Sequence, residues 1–432
     1  MSPTAAYVHI PFCHRRCFYC DFPVVVTGDR RHGGNHGPIA AYVALLCQEI
    51  RLTPALGSPL QTIFFGGGTP SLLTADQVAQ ILETLGAQFG LGAGLECSLE
   101  VDPKTFSLEQ IRGYQQAGVN RFSLGVQAFQ DQLLLACGRC HRREDIAAAF
   151  AMLQGAGVEN WSLDLISGLP HQTLGQWQDS ITQALALAPP HLSLYDLILE
   201  EPTVFGKRYQ PGAAPMPSDE ITAQMYRLGQ QMLTAAGYDH YEVCNYAKPG
   251  FQCRHNRVYW QNHSYYGFGM GAASYLQGHR YSRPRHSQAY GQWVTDLGSG
   301  STPVPWTSVP WTSVPWTSVP WTSSQNPDRE TPGDTDLDGL LDTLMLGLRL
   351  REGVNLAELE MRFGARVVAV VNECVVPFGD RGWTQVAQDA AGQRWLRLTD
   401  PEGFLFSNQV LADLFAQLEQ VWSKFGASLD PG

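Results

Sequence analysis

The chain has 432 residues, 44% of them apolar and 16% charged, enough for one large domain plus a smaller one and too apolar for global disorder. A formal net charge of −11 with no dense Lys/Arg run argues against sequence-independent binding to nucleic acid as the main activity. The opening "MSPTAAYVHIPFC" lacks the basic start and apolar run of a signal peptide, and no uncharged stretch approaches the ~20 residues of a membrane span. A cytoplasmic location is expected, where the ten cysteines serve as thiols or metal ligands rather than disulfides.

Short apolar runs alternate with longer amphipathic ones from Ala5 to about Leu199. "AYVHI", "TIFF", "LECSLEV", "RFSLGV", "WSLDLI" and "LSLYDL" read as strands. Ala40–Leu52, Ala75–Phe89, Leu108–Ala117, Arg143–Gly155 and Leu174–Leu187 read as the helices between them, with "AG" marking two helix stops. The alternation predicts an α/β fold of parallel βα units, about six of them, short of a complete eight-unit barrel. A helix over Asp219–Ala236, a strand in "YDHYEV" and the Gly/Tyr-rich "YYGFGMGAASY" follow. Val304–Ser323 is then four copies of "VPWTS", a period too short for a repeat fold and interrupted by Pro in every unit, so it reads as an extended linker. Beyond it, "DLDGLLDTLMLGLRL" and "NLAELEMRFG" precede "QRWLRLTDPEGFLFSN", which reads as a hairpin with a polar turn, and a final helix in "QVLADLFAQLEQVWSKF". The expected division is a barrel core over 1–298, a linker over 299–333 and a small winged-helix-like α+β domain over 334–432. That domain is not conspicuously basic, which argues against groove reading.

Cys13, Cys17 and Cys20 form C-x-x-x-C-x-x-C just after the first strand. Three thiolates from one loop suit a zinc site completed by His9 or His14, or a [4Fe–4S] cluster with one iron left open; three unrelated thiols is the bland alternative. "FFGGGTP", Phe64–Pro70, follows the next strand, and its glycines permit close backbone approach. Together these motifs resemble the radical S-adenosylmethionine (SAM) family. The resemblance implies a partial (β/α)6 barrel in which Cys13, Cys17 and Cys20 bind a [4Fe–4S] cluster and SAM chelates the open iron. It also implies an electron donor for the cluster, and cleavage of SAM to methionine and a 5′-deoxyadenosyl radical.

"YVHIPFC", "SLEVDP", "RFSLGVQAF", "GRCH" and "SLDLISGLP" are similar to successive blocks of that family's coproporphyrinogen III oxidase-like branch. By this resemblance Tyr7, Tyr19, Gly67, Gly68, Thr69, Glu100, Gln127, Arg139, Asp164 and Ile198 line the SAM pockets. Carboxylates at strand ends can accept from ribose hydroxyls or an ammonium, and an arginine can pair with a carboxylate. The oxidases of the branch carry a fourth Cys where this chain has Phe22, in "CDF". "CDF" and "HNRVYW", His255–Trp260, instead resemble the branch's haem chaperones. That implies haem as ligand, His255 as its iron ligand, Tyr259 and Trp260 as flat apolar surface, and haem-accepting proteins as partners. Oxidative decarboxylation of coproporphyrinogen III is the alternative activity. "CGRCH", Cys137–His141, matches a c-type haem attachment motif but lacks the exported context that chemistry needs. Cys47, Cys97, Cys244, Cys253 and Cys374 show no ligand spacing.

Overall fold

A computed structural model describes residues 2–29, 32–299 and 335–425. The VPWTS repeats and the expected linker beyond Ser299 lie outside the described residues. Six strands run in parallel: β1 (Ala5–Ile10), β2 (Leu60–Gly67), β3 (Leu91–Val101), β4 (Arg121–Gln127), β5 (Trp161–Ser167) and β6 (His191–Asp196). Two short strands, β7 (Asp239–Glu242) and β8 (Asn245–Ala247), add antiparallel at one edge, and β9 (Tyr266–Phe268) adds parallel to β1 at the other. The sheet order β9-β1-β2-β3-β4-β5-β6-β8-β7 is linear, so the barrel is partial, as expected.

The helices begin where local chemistry tells them to. Thr74/Gln77, Ser107/Gln110 and Thr173/Gln176 each form a reciprocal capping box at the start of the helices Ala75–Phe89, Leu108–Ala117 and Leu174–Ala186. Gly118 ends the second of these at φ 115°, the left-handed stop that "AG" signalled. Alternate strand residues such as Leu99, Phe122, Leu124, Leu163, Leu165 and Leu192 join the main apolar core. Intervening residues on adjacent strands pair polar to polar: Ser123 donates to Asp164 at 2.9 Å and Ser162 to Ser123 at 2.8 Å. A sheet apolar on one face and polar on the other has room for chemistry inside its curve.

A second core gathers Leu340, Leu344, Phe363, Val371, Leu396 and Leu414. Helix Thr335–Gly347, strand Val354–Asn355, helices Leu356–Phe363 and Ala365–Asp380, and a hairpin of Thr384–Gln388 with Arg394–Leu398 give a winged-helix order. One expectation needs correction. The hairpin turns at Asp389–Gln393, where the Asp389 Oδ1 accepts from Ala391 and Gln393, and not at "TDPEG", which leads into the short helix Glu402–Leu405. The missed strand lies largely in solvent, so it lacks the apolar alternation that reveals a strand. This domain joins the barrel through Val243 N–H to Arg349 O at 3.0 Å, Arg351 N–H to Tyr241 O at 3.0 Å, and the Arg227–Glu402 and His240–Asp400 pairs. Among the described residues no helix is long and apolar enough to cross a membrane.

Candidate functional site at the mouth of the barrel

The three cysteines follow the C-terminal end of β1, where α/β sites collect. Phe12–Cys13 pairs with Val25–Val26, closing the loop on itself. The GGGTP segment at the end of β2 then clamps the loop: Gly68 N–H donates to Ile10 O at 2.8 Å and Thr69 N–H to Phe12 O at 2.7 Å. The Thr69 hydroxyl reaches Cys13 Sγ at 3.6 Å. A Cβ on Gly68 would stand 2.7 Å from Phe12 O and 2.8 Å from Ile10 O, so only glycine allows this approach. Gly67 has φ 107° and faces the His9 ring.

The "CGRCH" stretch supports the same loop. Cys137 O accepts from Phe18 N–H at 3.0 Å, and the buried Arg139 donates to Asp102, to Gly125 O at 3.0 Å and to Cys17 Sγ at 3.4 Å. Asp102 thus anchors the guanidinium, a role "SLEVDP" contained but did not reveal. His141 is buried, with Nε2 3.1 Å from Val126 O. Tyr19 packs on Phe205, whose N–H donates to Phe18 O at 2.9 Å. Gln127 closes β4 at φ 67° beside a register shift, a conformation rare outside glycine.

Glu100 and Asp164 face this end of the sheet interior. Burial pushes the Glu100 carboxyl up to about 8, Asp164 adds to the rise, and the Gly67 N–H at 3.1 Å opposes it. Burial raises Asp164 to about 6 against hydrogen bonds from Ser193 and Ser123. Burial likewise lifts the Cys13 thiol to about 12 and Cys20 to about 11. Thiols and carboxyls crowded this way favour cations, because a nearby positive charge restores the ionised forms that burial suppresses. The donor set thus fits both thiolate-bound iron and a ligand carrying ammonium or sulfonium charge. Ile198 stands on the segment after β6 with 62% of its surface exposed.

His9, the alternative zinc ligand, is buried with Nδ1 3.0 Å from Tyr7 OH and Nε2 2.9 Å from Pro23 O. Among the described residues no three His, Cys, Asp or Glu side chains close on one ion. In a cluster each thiolate binds a different iron.

His255 lies deeper in the barrel, near the start of β1. It belongs to helix Arg254–Trp260, whose first N–H groups donate to Glu96, His255 at 3.0 Å and Arg254 at 3.2 Å. The ring is fully buried and stacks on Phe64, with Nδ1 2.9 Å from Thr62 Oγ1 and Nε2 2.8 Å from Tyr259 OH. Burial lowers its pKa to about 3. Thr62 pairs with Ala5 at the start of β1, whereas Gly67 pairs with Ile10 at its end. The His255 ring nevertheless reaches towards the mouth, stacking on Phe64, which in turn stacks on Tyr7. Both ring nitrogens have hydrogen-bond partners, so iron ligation by His255 requires exchanging one of these bonds. The helix is the floor of the barrel, and sequence reasoning missed Glu96 and Thr62, its anchors.

The comparisons accord with this geometry. Residues 7–184 match the radical SAM superfamily and residues 335–405 match the HemN C-terminal domain. The heme chaperone HemW of Synechocystis sp. is 45% identical over 97% of this chain and 98% of its own length. The heme chaperone HemW of Escherichia coli is 39% identical over 63% of this chain and 70% of its own. The structure of coproporphyrinogen III oxidase (HemN) from Escherichia coli superposes with a TM-score of 0.73 at 22% identity, covering 96% of this chain and 90% of that one, a likeness of fold. Similarity of this level along nearly the whole chain makes the protein a member of the HemW family, within the radical SAM superfamily.

Proposed function

We propose that this protein is a haem chaperone that binds haem and passes it to acceptor proteins, with a [4Fe–4S] cluster and SAM held in its barrel. The observation that carries the reading is the near-complete alignment with a haem chaperone, 45% identical over 97% of the chain. Cys13, Cys17 and Cys20 would hold the cluster, and Tyr7, Tyr19, Gly67, Gly68, Thr69, Glu100, Gln127, Arg139, Asp164 and Ile198 would face SAM. Together these groups supply one-electron reductive chemistry when bound. The chain's own residues orient and shield: Arg139 and Thr69 fix the cysteine loop, while Glu100 and Asp164 accept from donors entering the mouth. An electron donor and a cytoplasmic setting belong to the same proposal, as do the barrel core over 1–298, the linker over 299–333 and the C-terminal domain over 334–432. The oxidase alternative has less support, because Phe22 puts an exposed ring where that activity's branch has a fourth thiol.

The test is anaerobic haem titration of cluster-reconstituted protein, followed by transfer to a haem-free acceptor such as apomyoglobin. Saturable binding with transfer is expected. Turnover of coproporphyrinogen III with no saturable haem binding would overturn the reading.

A further inference from the structure

The His255 ring is bonded at both nitrogens, but the two bonds differ in what stands behind them. Nδ1 lies 2.9 Å from Thr62 Oγ1, and Thr62 is a buried residue of an inner strand, paired with Ala5 on one side and Glu96 on the other. Glu96 in turn accepts from the His255 N–H at 3.0 Å, so two cross-strand neighbours fix the ring and the backbone of one residue. Nε2 lies 2.8 Å from the Tyr259 hydroxyl, one helical turn on. Tyr259 is partly exposed, and its ring meets that of Tyr265 edge-on at 4.7 Å. A partly exposed side chain on a seven-residue helix can change rotamer. A buried threonine held by two strands cannot.

The proton positions follow from the same partners. Burial keeps the imidazole neutral, with one N–H donor and one lone pair. A phenol is a stronger acid than an aliphatic alcohol and therefore the better donor. Tyr259 O–H accordingly donates to Nε2, and Nδ1–H donates to Thr62 Oγ1. The lone pair available to iron is then on Nε2, under a hydroxyl. Metal–imidazole bonds are about 2 Å long. An oxygen 2.8 Å from Nε2 stands where the metal must go, and the two cannot share the nitrogen.

We infer that Tyr259 is an exchangeable cap on the haem-binding nitrogen of His255, and that Thr62 is the positioning residue that keeps the lone pair on Nε2. The inference rests on the haem-chaperone reading and on His255 as the iron ligand that "HNRVYW" implies, and it adds the two residues that govern that ligand. Haem arrival breaks the Tyr259–Nε2 hydrogen bond and forms an Fe–Nε2 bond. Tyr259 keeps its O–H, Nδ1 keeps its proton on Thr62, and no oxidation state changes. Release runs the exchange backwards, with the returning hydroxyl satisfying the nitrogen that iron leaves. A ligand that competes with a cap is held less tightly than one on an open nitrogen, which suits a protein that gives haem away.

The test is haem titration of cluster-reconstituted wild type, Tyr259→Phe, Thr62→Val, Thr62→Ser and His255→Ala, followed by the Soret band. Tyr259→Phe removes only the hydroxyl, so haem binds about fivefold more tightly and passes more slowly to apomyoglobin. Thr62→Val removes the acceptor of Nδ1–H and weakens binding about tenfold, while Thr62→Ser restores it. Residues that merely supported the fold would weaken binding in both Tyr259→Phe and Thr62→Val, so the opposite signs are the signature. Adding Tyr259→Phe to His255→Ala changes nothing further. Side-chain nitrogen NMR of histidine-labelled, haem-free wild type shows His255 protonated on Nδ1. Unchanged or weaker binding in Tyr259→Phe overturns the cap and leaves the chaperone reading standing, as does tightening that persists without His255. A proton found on Nε2, or wild-type affinity in Thr62→Val, overturns the role of Thr62. Should the wild type bind no haem at all, the chaperone reading falls and takes the cap with it.

Discussion

The two ends of this barrel are built from the same strands and follow opposite rules. At the mouth, polar groups are crowded, partly exposed and pushed from their ordinary protonation, and arginines and glycines are spent on holding a loop in place. At the floor, both nitrogens of the His255 ring and the N–H groups of Arg254 and His255 have partners. A fully satisfied buried network stabilises and specifies a fold, whereas perturbed and exposed groups mark the place where chemistry or binding occurs. The difference teaches that a distinctive motif can belong to either kind of region. "HNRVYW" is as conspicuous as the cysteine triplet, yet its histidine sits in a packed, hydrogen-bonded setting rather than an open one.

Cysteine replacement at the mouth tests the contrast most severely. Cys17→Ala is expected to abolish cluster retention, with iron and sulfide after anaerobic reconstitution falling from about four each to near zero. The floor should be indifferent, so unfolding of the cofactor-free variant stays within about 0.5 kcal/mol of wild type. A variant that keeps its full iron and sulfide would show that the three cysteines are not the ligands.

Glu96→Ala asks the converse question. Its carboxylate accepts from His255 N–H at 3.0 Å and Arg254 N–H at 3.2 Å, and removing it leaves buried donors without partners. A loss of about 3 kcal/mol in denaturant unfolding is expected, with iron and sulfide content of the folded fraction unchanged. Equal loss of cluster and stability would mean that the two ends are one cooperative site.

The contrast was only half legible in the sequence. The parallel strands, capped helices and cysteine loop announce themselves because each depends on neighbours in the chain: alternation, a Ser/Thr-x-x-Gln box, a fixed thiol spacing. The floor depends on Glu96 meeting residues 158 and 159 positions away, and a glutamate inside "LECSLEV" carries no local sign of that partner. Asp102 was likewise invisible as the anchor of Arg139, 37 positions on. The hairpin of the C-terminal domain was misplaced for the opposite reason: its first strand is so exposed that burial never imprinted a pattern on it.

A pH series adds a milder test. Glu100 has an ordinary value of 4.5 and a folded value of about 8, so between these pH values the folded chain keeps a proton that the unfolded chain has lost. Glu100 therefore contributes a loss of stability as pH rises from about 4.5 to 8, Asp164 adds the same sign between 3.8 and about 6 and Glu242 up to about 7, while the buried neutral His9, His141 and His255 contribute a gain up to 6.5. Glu100→Gln should flatten the fall in urea midpoints between pH 7 and 8, above the range of Glu242. Superimposable slopes for variant and wild type would place the burden on some other group.

The smallest expected effect lies at the seam between the barrel and the C-terminal domain. Arg227 and Glu402 form a two-point pair at 2.7 and 2.8 Å, with side chains 42% and 40% exposed. Solvent screens such a pair, so Arg227→Ala should cost under about 1 kcal/mol and less at high salt. The Arg257–Glu352 pair crosses the same seam from the floor helix itself, with the arginine 23% exposed. Less screening and the tie to a packed helix give Arg257→Ala the larger loss, with weaker salt dependence. If the order were reversed, the floor helix would owe its position to Glu96 and the Thr62–His255–Tyr259 chain alone, and the C-terminal domain would rest on the barrel without bracing it.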